Sequence, residues 1–294
     1  MGSVTGVNTA VSQAQLIDKK WADYINEHRD ANLQAAKHFR DFSSLVSDSG
    51  NTVYVPNNLV EQTPFNYTEG QRLSDNLQAN TETYTTLTLG TYKANPFLIS
   101  DKLNAQSKYA SKMLGYKKAA YAVAKALDTA IFGAGSSAHP AVNNGGTTIT
   151  NLDLTEAKAR LDASNVPDGD RAWFFNPWCV KDLMDLSGNY FTSIDFGQSG
   201  PLVKGQINRM ILGSPVYSTT NIPSAAAGSP AQPIITNLYA HKDYIIWAAN
   251  FKDQRQEEYN LDLQGTLCNV RSLFGVASNR TDHGVEIKRQ SLVA

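Results

Sequence analysis

The strongest constraint in this chain is a stripe of apolar side chains between residues 109 and 131. Tyr109, Met113, Tyr116, Ala120, Val123, Leu127 and Ile131 recur at intervals of four and three, the spacing that gathers side chains on one side of an α-helix. The pattern predicts a helix of about seven turns, stopped by Gly133 and Gly135. Between Asp101 and Asp128 lie six lysines (Lys102, Lys108, Lys112, Lys117, Lys118, Lys125) and no acid. The segment therefore reads as a long helix with one buried face and one basic face, and the buried face needs a second layer of structure.

What precedes the helix has a different period. Residues 1–15 are small and polar and read as a flexible arm. In 16–42, Ile17, Trp21, Tyr24, His28 and Ala31 are helically spaced, and Ser47-Asp48-Ser49-Gly50 closes that helix. Thr52-Val53-Tyr54-Val55, closed by Pro56, and the threonine-rich run 81–91, with Leu87 and Leu89 on one face, read as strands. The polar tract Asn66-Tyr67-Thr68-Glu69-Gly70-Gln71 lies between them. A long two-stranded excursion is marginally stable alone, because a single hairpin has no second layer. A neighbouring subunit is the natural cover.

Beyond the helix the chain alternates helix and strand. A Gly/Asn/Thr-rich loop spans 133–146. Asp153-Leu154-Thr155-Glu156 has capping-box spacing and predicts a helix to about Ser164. Residues 166–170 read as a turn and 172–175 as a buried strand, and Asn176-Pro177 opens a helix running to Gly188. Residues 221–233 read as a loop, and 234–249 and 261–276 as strands, so the class is α+β ending in sheet.

Composition and motifs narrow the function. Among the 294 residues, 41% are hydrophobic, enough for a packed core, and the net charge of -1 supplies no global field for a polyanion or an anionic membrane. Cys179 and Cys268 form no spaced motif, which fits a reducing cytosol. Residues 1–15 have no basic stretch followed by an apolar run, so no signal peptide is expected, and no run approaches the roughly 18 apolar residues of a membrane span. His28, His38, His139, His241 and His283 lack the spacing of a helical metal site. Gly197-Gln198-Ser199-Gly200 is one residue short of a nucleophile elbow. The glycine-rich 133–138 follows a helix, whereas a dinucleotide loop follows a strand. Asp168 with Asp170, and Glu257 with Glu258, are explained by turn and strand-edge chemistry. No catalytic residue, cofactor or metal is implied.

The order of arm, long β excursion, long helix, mixed region and terminal sheet resembles the major capsid proteins of tailed bacteriophages with the Hong Kong 97-like fold. The resemblance is carried by Thr52-Val53-Tyr54-Val55-Pro56, Tyr67-Thr68-Glu69-Gly70-Gln71 and the threonine-rich strand, then Ala126-Leu127-Asp128-Thr129. It continues through Asn165-Val166-Pro167 with Arg171 and Asn176-Pro177, and Gly205-Gln206-Ile207 leading to Gly213-Ser214-Pro215-Val216-Tyr217. Tyr239-Ala240-His241-Lys242-Asp243 and Leu273-Phe274-Gly275-Val276 complete it.

The resemblance implies an N-terminal arm over 1–48, an extended E-loop hairpin over 49–100, a P-domain spine helix over 101–140, an A-domain over 141–250, and a return to the P-domain sheet over 251–294. It implies a non-enzymatic subunit that self-assembles into an icosahedral virion shell of hexamers and pentamers around double-stranded DNA, built in the host bacterial cytoplasm with a portal protein. Only about 48 residues precede the E-loop, so scaffolding by a separate protein is expected. The acidic E-loop residues Glu61, Glu69, Asp75 and Glu82 are expected between subunits, and Lys108, Lys112, Lys118 and Lys125 toward the lumen. Two rivals stand beside this reading: an encapsulin-like nanocompartment, and a hydrolase whose site is assembled from distant residues.

Overall fold

The computed structural model describes residues 33–46, 50–57, 62–78, 83–106, 111–143, 146–185, 210–227 and 232–290. In chain order, a short helix α1 (Ala35–His38) precedes β1 (Arg40–Asp41), and β2 (Thr52–Asn57) pairs with β3 (Thr83–Thr88) as an antiparallel ribbon. Next come β4 (Thr91–Ser100), α2 (Asp101–Gln106) and the long α3 (Ser111–Gly133). The second half holds α4 (Asn151–Ala163), β5 (Arg171–Phe175), α5 (Pro177–Asp185), β6 (Met210–Ile211), β7 (Ser214–Ser218) and β8 (Ser224–Ala227). Four strands finish the described chain: β9 (Gln232–His241), β10 (Ile245–Asn260), β11 (Gly265–Ser278) and β12 (Gly284–Gln290). One sheet runs β1-β10-β11-β4, and the other runs β12-β9-β5-β7-β6 with β8 also on β9.

Helix α3 is shared by two cores. Its Tyr116, Ala119 and Val123 pack on Ile99 of β4 and on Cys268 and Val270 of β11. One turn on, Leu127, Ile131 and Phe132 enter a larger core with Trp173, Phe174 and Tyr239. Helix and sheet approach closely, since a Cβ at Gly115 would overlap the Phe97 ring. The expected stripe is present with one exception: Met113 is 64% exposed. It shares its angular position with Ile131, eighteen residues or five turns away, but only the C-terminal half of the helix has a second core beside it. Tyr109 lies outside the described residues.

The N-terminal helix expected over 16–42 is corrected where it is described. Residues 16–32 lie outside the described chain, and 35–38 are helical, but Phe39 is extended (φ -76, ψ 156) and Arg40–Asp41 pair in parallel with Ile246 and Trp247. The open edge of β10 captures this segment: Phe42 N–H donates to the Trp247 carbonyl at 2.8 Å, and Trp247 Nε1 donates to the Phe39 carbonyl at 3.3 Å. The segment starts on Asp128. This fully buried carboxylate of α3 accepts from Ala35 N–H at 2.8 Å and from Ala36 N–H at 3.4 Å, and its other oxygen accepts from Asn221 Nδ2 at 2.9 Å. It caps a helix distant in sequence, whose first N–H groups have no acceptor of their own.

Other expectations are refined. Pro56 lies inside β2 instead of closing it, which a two-stranded ribbon tolerates because each strand has a free edge. The cap of α4 sits one turn early: Thr150 and Asp153 form the box, because Thr150 is already extended and its hydroxyl reaches Asp153 N–H at 3.4 Å. Part of the loop expected at 221–233 is β8, paired with β9. The described part of α5 ends at Asp185, and Gly188 lies outside the described residues. The boundary expected at residue 250 falls inside β10, and β12 joins the sheet of β9 and β5. There Arg289 makes a buried two-pronged pair with Asp182 of α5, with Nη2 to Oδ1 at 3.0 Å. Arg171 is likewise buried and donates to Asp162 at 2.5 Å and to the Pro167 carbonyl at 2.9 Å.

Replacing Asp128 with alanine leaves the Ala35 N–H and Asn221 amide without their acceptor. A loss of about 2–4 kcal/mol in urea unfolding is expected, with partial recovery in Asp128→Asn, whose amide oxygen still accepts. A midpoint unchanged in Asp128→Ala would show that water replaces the carboxylate at no cost.

His38 generates a pH prediction. Its ring lies 5.2 Å from Phe39 and from Phe174, and burial, the largest influence, lowers its pKa to about 4. Between pH 6.5 and 4 the unfolded chain holds a proton that the folded one refuses, so stability is full above about 6.5 and falls as pH drops toward 4. The half-buried ring limits the effect to on the order of 1–3 kcal/mol. His38→Gln is expected to flatten the curve of unfolding free energy against pH over that window.

Candidate assembly interface

The β2–β3 ribbon is anchored along its length by one face. Along β2 the side chains alternate, with Val53 and Asn57 buried and Tyr54 and Pro56 exposed, as a strand with one covered face requires. Val53, Leu87 and Leu89 pack with Val46, Ile246 and Ala248 over the β10–β11 end of the long sheet. Asn57 Nδ2 donates to Thr85 Oγ1 at 3.1 Å and to Asn279 Oδ1 at 3.0 Å, tying the ribbon to the chain beyond β11. The crossing is tight, since a Cβ on Gly275 would overlap the Thr88 carbonyl oxygen.

Beyond that anchor, residues 62–78 rest on nothing among the described residues. Every residue in 62–78 except Asn76 is exposed. The excursion holds itself by Thr63 N–H donating to Gln78 Oε1 at 3.0 Å, the reciprocal Gln78 to Thr63 hydrogen bond, and the turn bond Gln71 N–H to Thr68 O at 3.0 Å. Its side chains are not those of a solvated loop. Leu73 is 65% and Leu77 82% exposed, with Phe65 and Tyr67 also open, and Tyr54 stacks edge-on against Tyr84 on the ribbon's outer face at 5.1 Å. Exposed apolar clusters of this kind mark contact surfaces.

The expected acidic residues divide between described and undescribed chain. Glu69 stands beside Gly70 (φ 91) in the turn, and Asp75 lies in the 3-10 turn Leu73–Asn76; both are exposed. Glu61 and Glu82 lie outside the described residues. Of the lysines, Lys118 and Lys125 are exposed and seven residues apart, on one stripe of α3. Lys112 is in the first turn, six residues from Lys118, a rotation of about 240° that puts it on a different stripe. Lys108 lies outside the described residues.

Sequence reading missed two features. β4 lies beyond the threonine-rich run 81–91 and carries no strand motif of its own, and Lys93 on it belongs to no motif. In the structure β4 is the outer strand of the long sheet, and a groove of about 520 Å³ lies where it meets α3. Ala122, Ala126, Ala130 and Phe274 give it apolar lining, and Lys93 and Lys125 enter it with no acid among its described lining residues.

The titratable groups that the sequence singles out have structural partners where they are described. Among the described residues no group of three His, Cys, Asp or Glu could hold a metal. Burial pushes the Cys179 thiol up to about 11, away from the reactive thiolate. Asp168 and Asp170 serve Arg171 and Lys242, and Glu257 accepts from Tyr116 at 2.8 Å. His241 is lowered by burial, and His283 bonds Asp282 at 2.9 Å. Gly197-Gln198-Ser199-Gly200 lies outside the described residues. Among the described residues no helix is long and apolar enough to cross a membrane.

No protein-family model and no curated protein sequence matches the chain. Solved structures do. A structure from Mycobacterium phage Che8 superposes with a TM-score of 0.76 at 19% identity, covering 92% of this chain and 96% of that one. The capsid structure of Cyanophage P-SCSP1u gives 0.73 at 17%, over 99% and 97%. The capsid of an empty GTA particle gives 0.66 at 11%, over 97% and 100%. The chain has the fold of these capsid structures, the Hong Kong 97-like architecture that its motif order implied.

Replacing residues 62–78 with a short glycine–serine linker is expected to change subunit stability by no more than about 0.5 kcal/mol, because the segment is exposed. A larger drop in urea unfolding would show that the excursion packs on its own subunit.

Proposed function

We propose that this chain is the major capsid protein of a tailed phage, a structural subunit and not an enzyme, which closes an icosahedral shell of hexamers and pentamers around double-stranded DNA. The observation that carries the reading is the excursion at 62–78, whose leucines and aromatics have no second layer among the described residues of their own subunit. Burying them across a neighbour supplies that layer, and obligate interfaces of roughly 2,000 Å² or more are large enough to do so. The capsid fold at near-full coverage supports the same conclusion. The similarity to phage and GTA capsids favours a viral shell over a nanocompartment.

In this reading residues 1–48 are the arm, 49–100 the E-loop, 101–140 the spine, 141–250 the A-domain and 251–294 the return, with β10 crossing the last boundary and β12 lying back on the sheet of β9. The protein resides in the virion and is assembled in the bacterial cytoplasm with a separate scaffold and a portal. The acids Glu61, Glu69, Asp75 and Glu82 set register against basic neighbours, a role of charge in specificity more than affinity. Spine lysines face the lumen and meet packaged DNA or an acidic scaffold without reading sequence, because each cation near a phosphate releases counterions.

Electron microscopy of the full chain, expressed alone and with its neighbouring genes, tests the proposal. Closed shells containing DNA are expected, empty shells carrying a cargo enzyme would select the nanocompartment, and uniform monomers under both conditions would overturn it. Changing Lys108, Lys112, Lys118 and Lys125 to glutamine should preserve assembly and lower DNA or scaffold content per particle. Unchanged content of both would leave these lysines as a solvated face.

A further inference from the structure

We infer that the buried pair His241 and His283 is an acid-sensitive latch on the N-terminal chain: with both rings neutral the 241–244 turn holds residues 39–42 against the sheet, and protonation releases them. The inference goes beyond the shell reading and does not depend on it.

The turn between β9 and β10 is where this part of the chain is tied down. Arg40 N–H donates to the Lys242 carbonyl at 3.3 Å, and the Arg40 guanidinium pairs with Asp243 at 2.7 Å. The turn keeps its own shape through Tyr244 N–H, which donates to the His241 carbonyl at 3.0 Å, and Asp243 N–H, which donates to His241 Nδ1 at 3.3 Å. A ring nitrogen that accepts a backbone N–H carries no proton, so neutral His241 holds its proton on Nε2. A second proton has to enter at Nδ1. There it removes the acceptor of Asp243 N–H. The resulting imidazolium also attracts the Asp243 carboxylate, whose Oδ2 lies 3.7 Å away, in competition with Arg40. Charging this one ring therefore disturbs both the turn and the carboxylate that hold Arg40.

The surroundings oppose that proton while the latch is closed. His241 is 4% and His283 5% exposed, and their rings meet edge-to-face with centroids 5.6 Å apart. Burial is the largest influence and lowers the pKa of His241. The groups facing it come from several elements: Lys242 and Asp243 on its own turn, Asp170 and Arg171 at the start of β5, His38 on α1 and Arg40 on β1. His283 and Asp282 come from the 3-10 turn Thr281–His283. Most of the carboxylates are already engaged: Asp170 pairs with Lys242, and Asp282 accepts from His283 Nδ1 at 2.9 Å. Asp243 exerts the strongest pull on a charge at His241, and it is the carboxylate that Arg40 uses. Two adjacent buried imidazoles repel each other when both are charged, and Lys242 adds to that repulsion. His38 acts in the same direction from within the segment, since its Nε2 is buried with no hydrogen-bond partner among the described residues.

The direction of the response follows from proton linkage. The closed form keeps these rings neutral, whereas the open form hydrates them and lets them protonate near the ordinary histidine value of about 6.5. The latch is therefore closed above that value, and the open population grows as pH falls below it. One histidine that is neutral when closed and ordinary when open raises the open fraction about tenfold between about pH 7.5 and pH 5.5.

Hydrogen exchange of the purified full chain, read by mass spectrometry and corrected for the pH dependence of intrinsic exchange, tests the latch. It is read at the amides of Arg40 and Phe42, which donate to the carbonyls of Lys242 and Trp247. His38→Gln serves as the reference, because His38 titrates in the same window. In this reference, protection of residues 39–42 is expected to fall about tenfold from about pH 7.5 to pH 5.5, with little change in residues 119–131 of α3. Adding His241→Gln, whose amide oxygen can still accept the Asp243 N–H, is expected to abolish the fall. Adding His283→Gln instead keeps the His241 ring but removes its neighbour, and the fall should shrink. No fall in the reference, a fall that survives His241→Gln, or an equal loss of protection in α3 would each overturn the latch. A full-sized fall in the His283→Gln variant would overturn the pair as its working unit.

Discussion

The buried carboxylate of Asp128 is the point on which three parts of the molecule converge. It belongs to α3, it caps α1 through Ala35 and Ala36, and it holds the 219–222 loop through Asn221. A buried carboxylate is tolerated only when its oxygens find hydrogen-bond donors, and here three neutral donors reach them. That requirement fixes where the N-terminal segment begins its path. Once Ala35 is placed, Phe39 and Phe42 follow the edge of β10, and the ribbon of β2 and β3 starts from a defined position above the long sheet.

The fold therefore depends on one helix serving two environments. The N-terminal half of α3 is covered on one side by β4 and β11, and the C-terminal half is surrounded by the core of Trp173, Phe174 and Tyr239. The second core is closed by buried charge as well as by apolar packing, since Arg289 with Asp182 ties β12 to α5 and Arg171 ties β5 to α4 and its following turn. Such pairs contribute little net stability but are costly to place wrongly, so they favour one arrangement of strands over its alternatives.

Sequence periodicity made α3 legible because helical spacing and burial agree over most of its length; it misjudged Met113 because periodicity reports angle and not whether a second layer is present at that height. The ribbon was legible from β-branched runs, and its lack of cover from the polarity between them. The cap of α4 was placed a turn late because two boxes overlap in Thr150–Glu156 and only backbone geometry selects between them. The segment 39–41 was misread because its conformation is dictated by the distant edge of β10, which local pattern does not contain. The groove was invisible for the same reason: Lys93 and Lys125 are thirty-two residues apart and both line it only because β4 packs beside α3. Glu69 and Asp75 are exposed, while Glu61, Glu82 and Lys108 lie outside the described chain.

The contact at Gly275 has a mechanical consequence. Where the ribbon leaves the sheet, backbone rests on backbone with no side chain between them, and the nearest atoms are the Thr88 carbonyl and the Leu89 Cα. The ribbon is pinned here at Thr88 and again at its other end, where buried Asn57 bonds Asn279. With both ends fixed it cannot rock on the sheet, so a change in reach has to come from the exposed stretch 62–78 beyond it.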